Sequence, residues 1–119
     1  MAQTVGDRLV QAIAAQDAGA MAECFCADTT FRALTPAGVR ERTGADETAA
    51  LIAAWFGDST VLELTDSRTD EVGGRLYVTY CFEGVEEGKP YVVRHHLFCT
   101  LSDGKIASAD LLCSGFLPR

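Results

Sequence analysis

No stretch of this 119-residue chain reaches the ~18 consecutive apolar residues of a membrane-spanning helix. Its first residues, Met1-Ala2-Gln3-Thr4-Val5-Gly6-Asp7, lack the basic region and apolar stretch of a secretory leader, so a cytoplasmic protein is expected. Basic residues are few: ten Lys and Arg stand against seventeen Asp and Glu, a formal net charge of -7, and they form no cluster. That field repels phosphate backbones and anionic lipid surfaces, so neither nucleic acid nor membrane is an expected partner. The five cysteines (Cys24, Cys26, Cys81, Cys99 and Cys113) are odd in number and include no Cys-x-x-Cys pair. They read as small hydrophobes in a reducing compartment, with no disulfide framework, metal site or cofactor expected.

What is present suffices for one domain over residues 1–119, since 48% of the residues are hydrophobic and only 23% charged. Leu9, Ala12, Ile13 and Gln16 follow Val5 at helical spacing and predict a first helix over Asp7–Gln16. Asp17 caps a short second helix, Ala18–Phe25, which Asp28 breaks. Thr29–Leu34 reads as a strand, Thr35-Pro36-Ala37-Gly38 as a turn, and Val39–Thr43 as a short strand or arm. A third helix opens at Gly44 with Asp46 and Glu47 in its first turn, buries Leu51, Ile52, Trp55 and Phe56, and ends at Gly57. Strands and turns fill the remainder: Thr60–Thr65 running on toward Glu71, Arg75–Glu83, Tyr91–Leu101 and Ile106–Phe116. They are separated by Gly73-Gly74, Glu86–Lys89 and the hairpin signal Ser102-Asp103-Gly104-Lys105. This order predicts an α+β fold, with a curved, mixed but mostly antiparallel sheet wrapped around three helices on its concave face.

Ala14 through Asp28, then Arg42-Thr43-Gly44-Ala45-Asp46-Glu47, then His96-Leu97-Phe98 and Asp103-Gly104-Lys105-Ile106 together resemble the nuclear transport factor 2-like superfamily, in its SnoaL-like and ketosteroid-isomerase-like branch. The resemblance covers nearly the whole chain. It implies a cone whose mouth holds a small apolar molecule, and a homodimer formed through the outer sheet face. The superfamily hosts isomerases, cyclases, hydrolases and binding modules, so the resemblance speaks for fold before activity.

Laid on the ketosteroid-isomerase pattern, Leu9 stands at the tyrosine position and Ala33 at the carboxylate base, and the donor position falls on His96. The limonene-epoxide-hydrolase pattern is met by Arg94 of Arg94-His95-His96, with histidine in place of aspartate and Asp110 one residue out of step. A SnoaL-type cyclase pairs an acid with a base, for which His96 is the sole catalytic candidate. Strand parity groups Arg94, His96, Phe98 and Thr100 on one face, and His95, Leu97, Cys99 and Leu101 on the other. The family register places the His96 face inside, which makes Arg94, His96, Phe98, Tyr80, Phe31 and Trp55 the expected pocket and leaves His95 outside. Two functions stand at this point. One is a cofactor-free isomerase or cyclase on a polyketide-like or terpenoid-like ligand. The other is a noncatalytic ligand-binding or homodimeric assembly module that has lost the acids its relatives use.

Overall fold

The computed structural model describes residues 3–119. Its elements run α1 (Val5–Ala14), α2 (Ala18–Ala22), β1 (Phe25–Thr35), β2 (Gly38–Thr43), α3 (Ala45–Phe56), β3 (Ser59–Val72), β4 (Arg75–Glu86), β5 (Lys89–Ser102), β6 (Lys105–Cys113) and β7 (Leu117–Pro118). The sheet order is β2-β1-β6-β5-β4-β3, with β7 on β5. Every pairing is antiparallel except β1 with β6. The expected α+β cone is what the chain forms.

Tight turns set the strand register. Asp103-Gly104 joins β5 to β6 with φ of 52° and 77°, and Glu87-Gly88 joins β4 to β5 with 52° and 76°. Two successive positive φ values match the right-handed twist of the strands they join, and glycine carries the second at no steric cost. Thr4 begins α1 with a reciprocal cap: its hydroxyl accepts from Asp7 N–H while the Asp7 carboxylate accepts from Thr4 N–H. Leu9 and Ile13 on α1 and Ile52 and Phe56 on α3 are fully buried against Val78, Phe82 and Leu97 of the sheet. At Gly6 a Cβ would come within 2.9 Å of Thr69 and Val78 side chains, so glycine lets α1 lie close on the sheet.

The second helix stops three residues short of the expected Phe25. There the Ile106 N–H donates to the Cys24 carbonyl at 2.9 Å and Phe25 enters the parallel pairing with β6. That pairing lengthens β1 to Phe25–Thr35, beyond the expected Thr29–Leu34. The last strand also ends early, at Cys113, because Gly115 turns the backbone at φ 89° before β7 begins.

Candidate functional site

The grouping of strand residues holds, but the face is the reverse of that expected. On β5, Tyr91, Val93, His95, Leu97 and Cys99 point inward and are buried, while Arg94, His96 and Phe98 lie on the outer face. Burial selects the more apolar set: the inner residues carry a tyrosine and one histidine among apolar side chains, whereas the outer set carries an arginine, a histidine and a threonine. Phe98 is 59% exposed, and Arg94 pairs with Asp66 at 3.0 Å on the outside. His96 meets the Tyr77 hydroxyl at 2.7 Å, also outside. Of the six expected pocket residues, Tyr80, Phe31 and Trp55 face the interior; Arg94, His96 and Phe98 do not.

His95 is the polar centre of the cone. It is 0% exposed, with Nδ1 at 2.8 Å from the Tyr80 hydroxyl and Nε2 at 3.2 Å from Cys113 Sγ. Rings enclose it, with centroids at 5.2 Å (Tyr80), 5.4 Å (Trp55) and 5.9 Å (Phe56). Burial, reinforced by the adjacent His96, pulls the His95 imidazole down to about 3, so it is neutral at physiological pH. The same burial pushes Tyr80 well above the ordinary phenol range and raises Cys113, against which the Gly115 N–H works in the lowering direction. All three groups are therefore uncharged.

Donor counting fixes the tautomer. Tyr80 is 0% exposed and its hydroxyl has His95 Nδ1 as its hydrogen-bond partner. A proton on Nδ1 would leave the phenol hydrogen buried without an acceptor, which is costly. Tyr80 therefore donates to Nδ1, and the imidazole proton sits on Nε2 and donates to Cys113 Sγ. The thiol hydrogen is left over at small cost, because sulfur is a weak donor. Gly115 N–H donates to the same sulfur at 3.3 Å. Two N–H donors thus converge on one point at the end of β6.

Among the described residues no Asp or Glu is buried. Leu9 and Ala33 are fully buried apolar residues, and Asp110 lies outside, paired with Arg32 at 3.2 Å. No residue set among those described gathers three metal-ligating side chains. The interior lacks the carboxylate that acid/base catalysis on either family pattern needs.

The cone is closed by its own rings. Trp55, Tyr80, His95 and Cys113 line none of the five main surface grooves. One groove of ≈ 420 Å³, bounded by Glu86, Lys89, Pro90 and Arg119, has Tyr91 and Phe116 in its wall. Phe116 is 38% exposed and packs on Phe56 at 5.6 Å, so this groove lies two rings from His95. Sequence reasoning missed His95, Cys113, Gly115 and Phe116 as site residues. Its one available signal was the apolar majority of the His95 face.

The outer face carries an apolar patch in neighbouring strands: Val39 (54% exposed) opposite Leu34 (52%), Leu34 opposite Leu112 (48%), and Leu112 opposite His96, with Phe98 beside them. Phe98 packs on Tyr77 at 5.0 Å. Three ion pairs border this patch, Arg32 with Asp110, Arg94 with Asp66 and Arg68 with Asp70.

Comparison with known proteins agrees with this architecture. The family model described as a SnoaL-like domain matches residues 7–109. A Catenulispora acidiphila protein with a ketosteroid-isomerase-like fold, solved with trimethylamine, superposes with a TM-score of 0.76 at 16% identity, covering 93% of this chain and 85% of that one. A proposed polyketide cyclase of Xanthomonas campestris gives 0.73 at 20% identity, covering 91% and 86%. A proposed SnoaL-like polyketide cyclase of Jannaschia sp. CCS1 gives 0.75 at 15% identity, covering 92% and 83%. No curated protein matches the chain in sequence. The likeness to these structures carries the fold, and the family match over most of the chain carries the membership: this protein belongs to the SnoaL-like domain family.

Proposed function

We propose that this protein is a cofactor-independent binding module for a small apolar molecule, not an acid/base isomerase or cyclase, and that it works as a homodimer. The binding reading is carried by one observation: a neutral, fully buried histidine, hydrogen-bonded at both nitrogens, inside an aromatic enclosure with no buried carboxylate among the described residues. Apolar walls around a few fixed polar groups are the usual lining of a small-molecule site, and here the space itself opens only when rings move. A ligand reaches His95 from the groove beside Phe116, by displacing Phe116 and the half-buried Trp55.

Trp55 is the chain's single tryptophan, and its ring edge meets His95, so its emission reports on occupancy of the cone. Titration with decalin, a compact bicyclic hydrocarbon, is expected to shift that emission saturably, and Phe116→Ala to tighten the binding by unblocking the path. Emission that stays flat in both proteins up to the solubility limit would contradict the binding reading.

The outer patch supports the dimer. Exposed apolar residues on neighbouring strands are costly to leave in water, and paired charges at the border let two chains of net charge -7 approach there without local repulsion. Sedimentation is expected to show a dimer that Leu112→Glu converts to monomer with an unchanged far-ultraviolet spectrum. A wild-type protein that sediments as a 12.7 kDa species at tens of micromolar would rule the dimer out.

A further inference from the structure

We infer that the dimer responds to pH: His96 lies in the face where two copies meet, and its protonation separates them. This rests on the homodimer reading above and names what regulates that interface.

The sheet register puts His96 inside the apolar patch. Leu112 stands opposite it on β6, Leu34 stands opposite Leu112 on β1, and Phe98 follows it on the same face of β5. The imidazole is half-buried, and among the described residues its hydrogen-bond partner is the Tyr77 hydroxyl, 2.7 Å from Nδ1. The facing side chain on β4 is Thr79, whose hydroxyl accepts from Arg94 Nη1 at 3.2 Å. The carboxylates around His96 are held by arginines. Asp110, diagonal to it on β6, is bound by Arg32 at 3.2 Å, and on β3 Asp66 is bound by Arg94 at 3.0 Å. Asp70 on β3 is bound by Arg68 at 2.8 Å, and Glu41 lies on β2, three strands away. Arg94 shares the face and has the sign of a charged histidine.

In a two-fold dimer the patch meets itself, so each copy covers the other's patch with apolar side chains and the interface holds two imidazoles. Neutral imidazoles are tolerated there, whereas a charge without a partner is costly to bury. In the charged form both ring nitrogens donate, so Tyr77 can only accept and its own hydrogen turns out toward the facing chain. In the monomer that hydrogen and that charge both meet water. Two separated chains therefore bind more protons than the dimer, and falling pH favours separation. Histidine is the side chain whose ordinary charge change falls between pH 8 and 5. His95 cannot take this part, because it is buried on the opposite face and stays neutral there.

The test is sedimentation of the wild type, His96→Gln and His96→Leu at pH 8 and pH 5.5, with far-ultraviolet spectra confirming a folded chain at both. The wild-type dimer is expected to dissociate about a hundredfold more readily at pH 5.5, about tenfold for each of its two histidines. Both variants are expected to hold one dissociation constant within about threefold across the two pH values. Should His96→Gln fail to dimerise, His96→Leu, which extends the apolar patch, decides. A wild-type dimer equally tight at both pH values would overturn the switch and leave the homodimer standing. So would a His96→Leu protein that weakens in acid as much as the wild type, or that is monomeric throughout. A wild-type monomer at pH 8 would overturn the homodimer reading and this inference with it.

Discussion

Between pH 6.5 and pH 3 this protein is expected to lose on the order of 4 kcal/mol of folding stability through His95 alone. The folded imidazole takes a proton only near pH 3, whereas the unfolded chain takes it near 6.5. The contribution is therefore fully present above pH 6.5 and is lost as pH falls from there toward 3, where both states are protonated. Within that window the unfolded state binds one more proton than the folded state, and each pH unit costs about 1.4 kcal/mol. Carboxylates also titrate in the lower half of the window, so comparison with His95→Gln isolates the histidine. Urea unfolding at pH 7, 5.5 and 4 is expected to show a steeper decline in the wild type than in the variant. The variant starts lower at pH 7, having lost hydrogen bonds to Tyr80 and Cys113. Parallel declines would mean that His95 is hydrated in the folded protein.

Phe56→Ala is expected to cost about 3–5 kcal/mol, the largest effect of any single substitution near the site. Phe56 is fully buried, and its ring meets Phe82 at 5.5 Å, Phe116 at 5.6 Å and His95 at 5.9 Å. Its backbone carbonyl accepts from Gln16 Nε2 at 2.8 Å, a contact that the substitution leaves in place, so α3 keeps its tie to the chain just after α1. The loss is therefore of packing, and the void lies between the groove and the histidine. Against a total of roughly 5–15 kcal/mol for a domain of this size the variant is expected to fold in the cold and melt at least about 10 °C lower. An apolar void of this kind takes up apolar guests, so decalin is expected to raise the variant's melting temperature more than the wild type's. A melting temperature within about 2 °C of wild type would show that these rings do not form one packed unit.

Much of the fold was legible because it depends on local signals. The apolar spacing of Leu9 and Ile13, and of Ile52 and Phe56, marks two helices. Asp103-Gly104 marks a hairpin, and the observed φ values are those such a turn requires. Strand parity in β5 was equally legible, but parity gives two sets without saying which faces in. The family register chose the His96 set, and the side chains decide otherwise: Tyr91, Val93, Leu97, Cys99 and Leu101 outweigh Val92, Arg94, Phe98 and Thr100 in apolar character.

The partner of His95 was not legible at all. Carrying the hairpin register back from Ser102 opposite Lys105 would set Leu112 against His95. An irregularity between Thr100 and Leu101 shifts the ladder by one, so that His95 faces Cys113 and the sulfur meets the imidazole. No local composition announces that bulge. The end of α2 was misread for a related reason: Phe25 is drawn into strand by its parallel neighbour Ile106, 81 positions along the chain.

His95 is the buried neutral donor at the centre of the cone, and imidazole nitrogen NMR reads that state directly. His95 is expected to keep one protonated nitrogen, Nε2, and one bare nitrogen, Nδ1, from pH 7 down to the onset of acid unfolding. A His95 that gains its second proton near pH 6.5 while the protein stays folded would contradict the neutral centre and the binding reading built on it.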